Sequence, residues 1–367
     1  MAYLDYLIIQ LGIPLFYIKL VGAVFVSLVL CFFSILIILK ISKRKNLMDE
    51  PGIRSSHVRK IPNLGGIAIF YAIGIATPMF GYELFDLYKF LFPTLIILLY
   101  VGVMDDIVIM RAYKKLFIQI FVASLMVIGS DVRIRSLFGL FGIYELPYFI
   151  SILFTIVTII IIINSFNLID GIDGLAGTYT IICCLLFGVS YYRLGEYNYP
   201  MIILCASIIG ALIGFLYYNL SSSRSKKIFM GDTGSMIVGF LLAFTAIYFI
   251  NIFTASGGRS LYHLPTALVI AFAILILPMV DTLNVILIRL FNKKSPMEAD
   301  KNHIHHKLLD LGLSHKKSTF YILCYYMFTI IVVYFFRHIN INLLLVFVLM
   351  LGFMGAYIPR FILKLRN

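Results

Sequence analysis

Eleven apolar runs of 15 to 25 residues follow one another along this chain, separated by short polar stretches. They lie at 16–39, 65–81, 90–104, 116–130, 148–163, 175–192, 200–217, 235–253, 265–289, 319–336 and 341–359. A helix needs about 20 apolar residues to cross the hydrocarbon of a bilayer. Within lipid every backbone N–H and C=O must find its partner inside the protein, which the α-helix provides. The runs therefore predict an all-α polytopic membrane protein with eleven transmembrane helices, a single domain over 1–367. The longest gaps, near 40–64 and 290–318, have no room for a soluble domain. Only 13% of residues are charged, against about 25% in soluble domains, and the mean hydropathy is +1.01. The first run has no small-residue cleavage pattern and ends against Lys40, Lys43, Arg44 and Lys45, so no cleavable signal is expected. The five cysteines fall within apolar runs with no disulfide or zinc spacing, and read as small core residues.

Charge orients the chain. If the loop after the first run is cytoplasmic, alternate segments on that side hold 23 of the 30 Lys and Arg residues. The positive-inside rule then puts the N-terminus outside and the C-terminus in the cytoplasm. The net charge of +13 is spread over short loops between spans. That pattern favours anionic lipid headgroups and phosphorylated substrates over nucleic acid. Segments 49–66, 105–115, 164–174, 219–235 and 296–315 all fall on the cytoplasmic side, and they carry most of the unusual polar chemistry. The outer loops, such as 131–147, look ordinary.

The central stretch is NSFNLIDGIDGLAG at 164–177, with Asn164, Asn167, Asp170, Gly171 and Asp173 between two apolar runs. Carboxylates are costly beside hydrocarbon. Amides and carboxylates next to glycines suit a cation and the phosphates it carries. A polar loop with glycine caps accounts for the glycines and one Asp, but not for two Asp and two Asn within ten residues. In DEPGIRSSHVRKIPNLGG, Arg54, His57 and Lys60 suit phosphate oxygens, while Arg59 reads as a solvated loop charge. GVMDDIV ends a span with Asp105 and Asp106, adjacent carboxylates that hold Mg²⁺, accept a proton, or simply solvate a helix end. Lys115 is equally a phosphate contact or a snorkelling lysine. In NLSSSRSKKIFMGDTGSM, Asp232 starts a span and is a helix cap as readily as a ligand; Phe229 can stack on a base. In SPMEADKNHIHHKLLDLGLSH, His303, His305 and His306 lie in a cationic loop without Cys, which favours a diphosphate over a transition metal. Asp281 follows Pro278 inside the ninth run and reads as structural, paired with Arg289 or a neighbouring helix.

Taken together, these motifs resemble the polyprenyl-phosphate N-acetylhexosamine-1-phosphate transferases, in particular the bacterial branch acting on undecaprenyl phosphate with GlcNAc-1-phosphate. The match runs from about Asp49 to His315, with FNLIDGIDGLAG, FMGDTGS and HIHH its most specific segments. HIHH, in place of three consecutive histidines, resembles that branch more than the phospho-MurNAc-pentapeptide translocase. The resemblance implies transfer of a sugar-1-phosphate from a UDP-N-acetylhexosamine to undecaprenyl phosphate, with release of UMP. It further implies a bacterial inner-membrane location, an active site facing the cytoplasm, and an early role in a cell-envelope polysaccharide. It implies Mg²⁺, with Mn²⁺ as an alternative, held by Asp232 and Asn167 with Asp106 beside them. Asp105 matches the proton acceptor for the lipid phosphate. Gly171, Asp173, Asn219 and Phe229 match the nucleoside pocket. Lys60, Lys115 and the three histidines match positions near the diphosphate. Two departures stand out: Ile109 replaces a lysine of the translocase relatives, and the 219–229 loop is longer and rich in serine. A homodimer is left open.

Two other functions compete. A secondary transporter or lipid flippase would keep its acids near the bilayer midplane on broken helices, often in repeated halves. Here the acids cluster at span ends and no repeat is visible. A CDP-alcohol phosphotransferase would need an arginine that DGIDGLAG lacks.

Overall fold

The computed structural model describes residues 14–45, 47, 61–108, 110–223, 225–254, 264–291, 293 and 303–366. Arg54, His57 and Lys60 lie outside the described residues. The helices are α1 (Leu15–Lys45), α2 (Gly65–Gly81), α3 (Glu83–Leu87), α4 (Leu91–Ile107), α5 (Ala112–Gly129), α6 (Tyr148–Ile169) and α7 (Leu175–Arg193). They continue as α8 (Tyr199–Asn219), α9 (Gly231–Thr254), α10 (Ala267–Ile274), α11 (Ile276–Phe291), α12 (Ile304–Asp310), α13 (His315–Phe335) and α14 (Ile341–Arg366). All eleven apolar runs are helical. Among the described residues, eight helices are long and apolar enough to cross a membrane, nine if the bent pair α10–α11 counts as one span. At 17 residues each, α2 and α4 fall short, so eleven crossings do not follow from length alone.

Burial ranks the helices. In the most apolar window of α9, 83% of residues are buried inside the protein, against 22% for α1. α9 is thus the central post, packed by α6, α4, α2, α10 and α7, while α1 lies outside against α8 and α2. Peripheral helices present their apolar side chains outward, as a lipid solvent permits.

The ninth run is broken, with a 77° bend between α10 and α11. Proline has no N–H, so Pro278 cannot donate to the carbonyl four residues before it, Ile274. That carbonyl instead accepts from the hydroxyls of Tyr179 at 2.8 Å and Tyr326 at 2.7 Å, and from Cys183 Sγ at 3.4 Å. The kink expected from Pro278 is therefore stabilised by three side chains from neighbouring helices.

One loop that the charge pattern assigns to the outer side is not ordinary. Residues 136–140 and 143–145 form an antiparallel hairpin, β1 and β2, that the apolar-run reading does not anticipate. Its turn is glycine-rich, with Gly139 and Gly142 both at positive φ, and Phe141 N–H donates to Asn342 Oδ1 on α14 at 2.8 Å.

Candidate active site

The site is built on the first turn of α9. The segment before that helix pairs with the segment before α2. Phe229 N–H donates to Pro62 O at 2.8 Å, Gly65 N–H to Phe229 O at 3.0 Å, and Gly66 N–H to Met230 O at 2.8 Å. Gly66 and Gly102 then press against the backbone of Gly234 and Thr233, where an added Cβ would collide. Small residues at these crossings let three backbones converge on residues 231–234.

Asp105 and Asp106 end α4 and point to different partners. Asp106 faces the start of α9. Its Oδ1 accepts from Asp232 N–H at 2.8 Å, and its Oδ2 from Thr233 N–H at 3.1 Å and Thr233 Oγ1 at 2.6 Å. Asn63 Nδ2 adds a longer contact to Oδ1 at 3.4 Å. The first N–H groups of a helix have no intrahelical acceptor, so this carboxylate caps α9 from another helix. Both of its oxygens are thus engaged by that cap, at the position the sequence reading sets beside a metal.

Asp105 has other partners. Its Oδ1 accepts from Met110 N–H at 2.7 Å, and its Oδ2 pairs with Lys115 Nζ. Lys115 also reaches Asp232 Oδ1 at 3.0 Å. Asn167 Nδ2 meets the same Asp232 oxygen and donates to Ser235 Oγ at 2.9 Å. Asp105, Lys115, Asn167 and Asp232, drawn from α4, α5, α6 and α9, thus touch one another. Among the described residues no group of three His, Cys, Asp or Glu converges as a metal-binding set. The available donors are Asp232, Asp105 and the amide of Asn167, whose oxygen and nitrogen exchange on a flip.

Two polar residues of the sequence reading are occupied elsewhere. Asn164 forms a reciprocal amide pair with buried Gln119 of α5, at 2.7 and 3.4 Å. Gln119 lies one turn beyond Lys115 and Asn164 one turn before Asn167, so this pair fixes the lysine against the amide. Asn219 accepts from Gly174 N–H at 2.7 Å and donates to Ile228 O at 2.9 Å, bracing the 170–174 loop against the segment before α9. Both amides, read from the sequence as substrate contacts, are engaged within the protein. Gln119 escaped notice as a lone amide on an apolar helix.

The 170–174 loop carries two further carboxylates. Asp170 retains some exposure, yet its carboxyl is raised well above the usual carboxylate range by burial and then by the charges of Asp232, Asp106 and Asp173. Asp173 pairs with Lys227 Nζ at 2.5 Å and lies 3.7 Å from His315 Nδ1, and its carbonyl accepts from Thr319 Oγ1 at 2.8 Å. The Lys227 ammonium lies 5.7 Å from the centre of the Phe229 ring. Asp173 and Phe229, placed together by the sequence reading, are thus joined by a lysine it passed over.

The histidines form one stack. The rings of His303 and His305 are nearly parallel, with centres 5.6 Å apart, and His306 lies 4.3 Å from His305. His305 abuts Gly171 closely enough that any Cβ there would collide with its Nε2. Burial, followed by the neighbouring His306, pushes the His305 imidazole down to about 3. Asp281 pairs with His303 at the start of α12, the neighbouring-helix alternative of the two expected for it.

The glycosyl transferase family 4 profile matches residues 88–250, which includes Asp105, Lys115, Asn167 and Asp232. Over 306 residues the chain is 32% identical to the probable undecaprenyl-phosphate N-acetylglucosaminyl 1-phosphate transferase of Bacillus subtilis (strain 168), covering 82% of this chain and 80% of that one. It is 28% identical over 326 residues to the decaprenyl-phosphate N-acetylglucosaminephosphotransferase of Mycolicibacterium smegmatis (84% and 79% covered). It is 27% identical over 285 residues to the undecaprenyl-phosphate alpha-N-acetylglucosaminyl 1-phosphate transferase of Yersinia pestis (76% and 74% covered).

Proposed function

Because this chain belongs to glycosyl transferase family 4, we propose that it moves an N-acetylhexosamine-1-phosphate from a UDP-sugar to undecaprenyl phosphate and releases UMP. The reaction is the first membrane step of a cell-envelope polysaccharide, carried out at the cytoplasmic face of a bacterial inner membrane. The chain crosses that membrane eleven times. The observation that carries this reading is the contact of Asp105, Lys115, Asn167 and Asp232 at the ends of four helices. Family membership and the polyprenyl-phosphate acceptors named for its relatives supply the substrate class.

The residues fit the chemistry. Both reactants carry phosphate, so they repel unless the site supplies positive charge. Asp232 and the amide oxygen of Asn167 would hold Mg²⁺, or Mn²⁺ in its place, with phosphates and water filling the other positions, as a magnesium site commonly requires. The ion when bound neutralises charge on the diphosphate and on departing UMP. Lys115 holds Asp105 and Asp232 together and offers its ammonium to a phosphate. Asp105, fixed by Met110 N–H, accepts the proton of the lipid phosphate. Asp173, Lys227 and Phe229 form the nucleoside end, with the ring stacking on the base. His303, His305 and His306 border the diphosphate, and α11 flanks the polyprenyl chain. Asp106, Asn164 and Asn219 hold this frame in place.

The broken span is the one feature that favours a transporter or flippase. The acids of the Asp232 cluster, however, lie at helix ends, and Asp281 on the broken span is held by His303. The two readings part on one measurement: UMP release by purified protein with undecaprenyl phosphate, Mg²⁺ and a panel of UDP-N-acetylhexosamines. Release that depends on both the acceptor and the ion is expected. Sugar or lipid movement without UMP would overturn the transferase reading.

A further inference from the structure

Asp281 stands on α11, just beyond the break in the ninth run, and has no part in the reaction outlined above. It is 4% exposed, and His303 is 3% exposed. Its two oxygens are divided between two tasks. Oδ1 accepts the backbone N–H of Ile304, the first residue of α12, at 2.9 Å, and Oδ2 meets His303 Nδ1 at 2.8 Å. One carboxylate thus caps the histidine helix and grips the ring that precedes it.

That grip has a chemical consequence. With Nδ1 held by the carboxylate, Nε2 is the ring nitrogen that Asp281 leaves for a ligand. The ring is held at a fixed angle, and the His305 ring lies nearly parallel to it, at 9°. His305 fits against Gly171, next to Asp170, whose carboxyl feels the charge of Asp232. A continuous set of contacts therefore runs from the broken span to the loop beside the Asp232 cluster. A buried carboxylate is a costly way to join two helices that apolar side chains would join as well. Its retention here calls for a task that depends on direction.

We infer that Asp281 is a positioning residue for the transfer reaction, aiming His303 and the helix behind it at the phosphate-bearing substrates. The inference rests on the proposed function, since it assigns a residue to that site. Asp281 acts on orientation through His303, touching neither substrate.

Double-variant kinetics test it. Transfer is measured with purified, monodisperse wild type, Asp281→Leu, Asp281→Asn, His303→Ala and the Asp281→Leu/His303→Ala pair. Misplacement of a reacting group by about 1 Å costs about 100-fold in rate. Asp281→Leu is expected to lower kcat by about that factor, with KM for both substrates changed less than about threefold. Asn keeps an acceptor for Ile304 N–H and turns an N–H toward His303 Nδ1. Asp281→Asn is therefore expected to retain the fold and still lose rate. In the His303→Ala background, Asp281→Leu should add less than about threefold, because residues that act as a unit are not additive. Wild-type kcat in Asp281→Asn, or losses that multiply in the pair, would overturn the inference alone. A wild type that transfers nothing would overturn the functional reading and this inference with it.

Discussion

Two of the places where carboxylates meet basic partners in this protein are built differently. In the loop before the hairpin, Asp131 pairs with Arg133 at 2.7 Å and Arg135 at 2.6 Å, partners two and four residues away, and its side chain is 52% exposed. At the start of α9, Asp232 meets Lys115 and Asn167 from distant helices, and Asp106 reaches the same turn from α4. The first arrangement forms from local chain and is largely solvated. The second requires four helices to be assembled and desolvates charge beside a membrane. Exposed pairs of the first kind contribute about 0–1 kcal/mol. Removing one partner of a buried pair costs about 3–5 kcal/mol, because the other charge is left alone. Lys115 and Asp232 keep 21% and 30% of their side-chain exposure, so their cost lies below that of a fully buried pair, and it is the distance between their segments along the chain that sets the second region apart.

The contrast can be broken most decisively at Asp232. Asp232→Asn keeps the size of the side chain and removes the charge. Turnover should fall at least about 10³-fold, with the protein still monodisperse in detergent. Normal UMP release from this variant would return Asp232 to the role of a cap. The next largest effect is one of pH. The folded His305 imidazole lies near 3, below the 6.5 of a free histidine. Between those values the unfolded chain binds the proton and the folded one does not. The contribution of His305 is therefore complete above pH 6.5 and drains away as the pH falls toward 3, at up to about 1.4 kcal/mol per pH unit. Denaturant titrations at stepped pH should show a shallower acid slope in His305→Asn; an unchanged slope would assign the acid sensitivity to other groups.

Smaller still is the expected effect at Asp106. Its replacement by Ala leaves two N–H groups of α9 without acceptors and should lower stability by about 1–3 kcal/mol. Asp106→Asn, which keeps one acceptor oxygen, should recover part of that in thermal unfolding. Full stability in Asp106→Ala would remove the cap and reopen a ligand role. At the exposed end, Asp131→Ala should change stability by no more than about 0.5 kcal/mol and leave turnover alone. A loss as large as at Asp106 would erase the distinction between the two regions.

Much of this could be read from the chain itself. Apolar runs of this length are helical in lipid because a helix satisfies its backbone within the run itself, and all eleven are. Pro278 announces a break because it lacks the N–H that Ile274 needs. The polar residues in the gaps were also visible, since carboxylates beside hydrocarbon demand a reason. What each of them faces was not. Asp105 and Asp106 are chain neighbours, yet successive residues on a helix differ in direction by about 100°. One reaches Lys115 and the other caps α9. Asn164 and Asn167 lie one turn apart on one face, and the position of α5 decided that the first would clasp Gln119. Asp281 meets His303, 22 residues away along the chain, through the tertiary fold. Periodicity and hydropathy are local quantities and settle local structure. Partner choice depends on contacts between distant segments, and only the assembled bundle of helices supplies them.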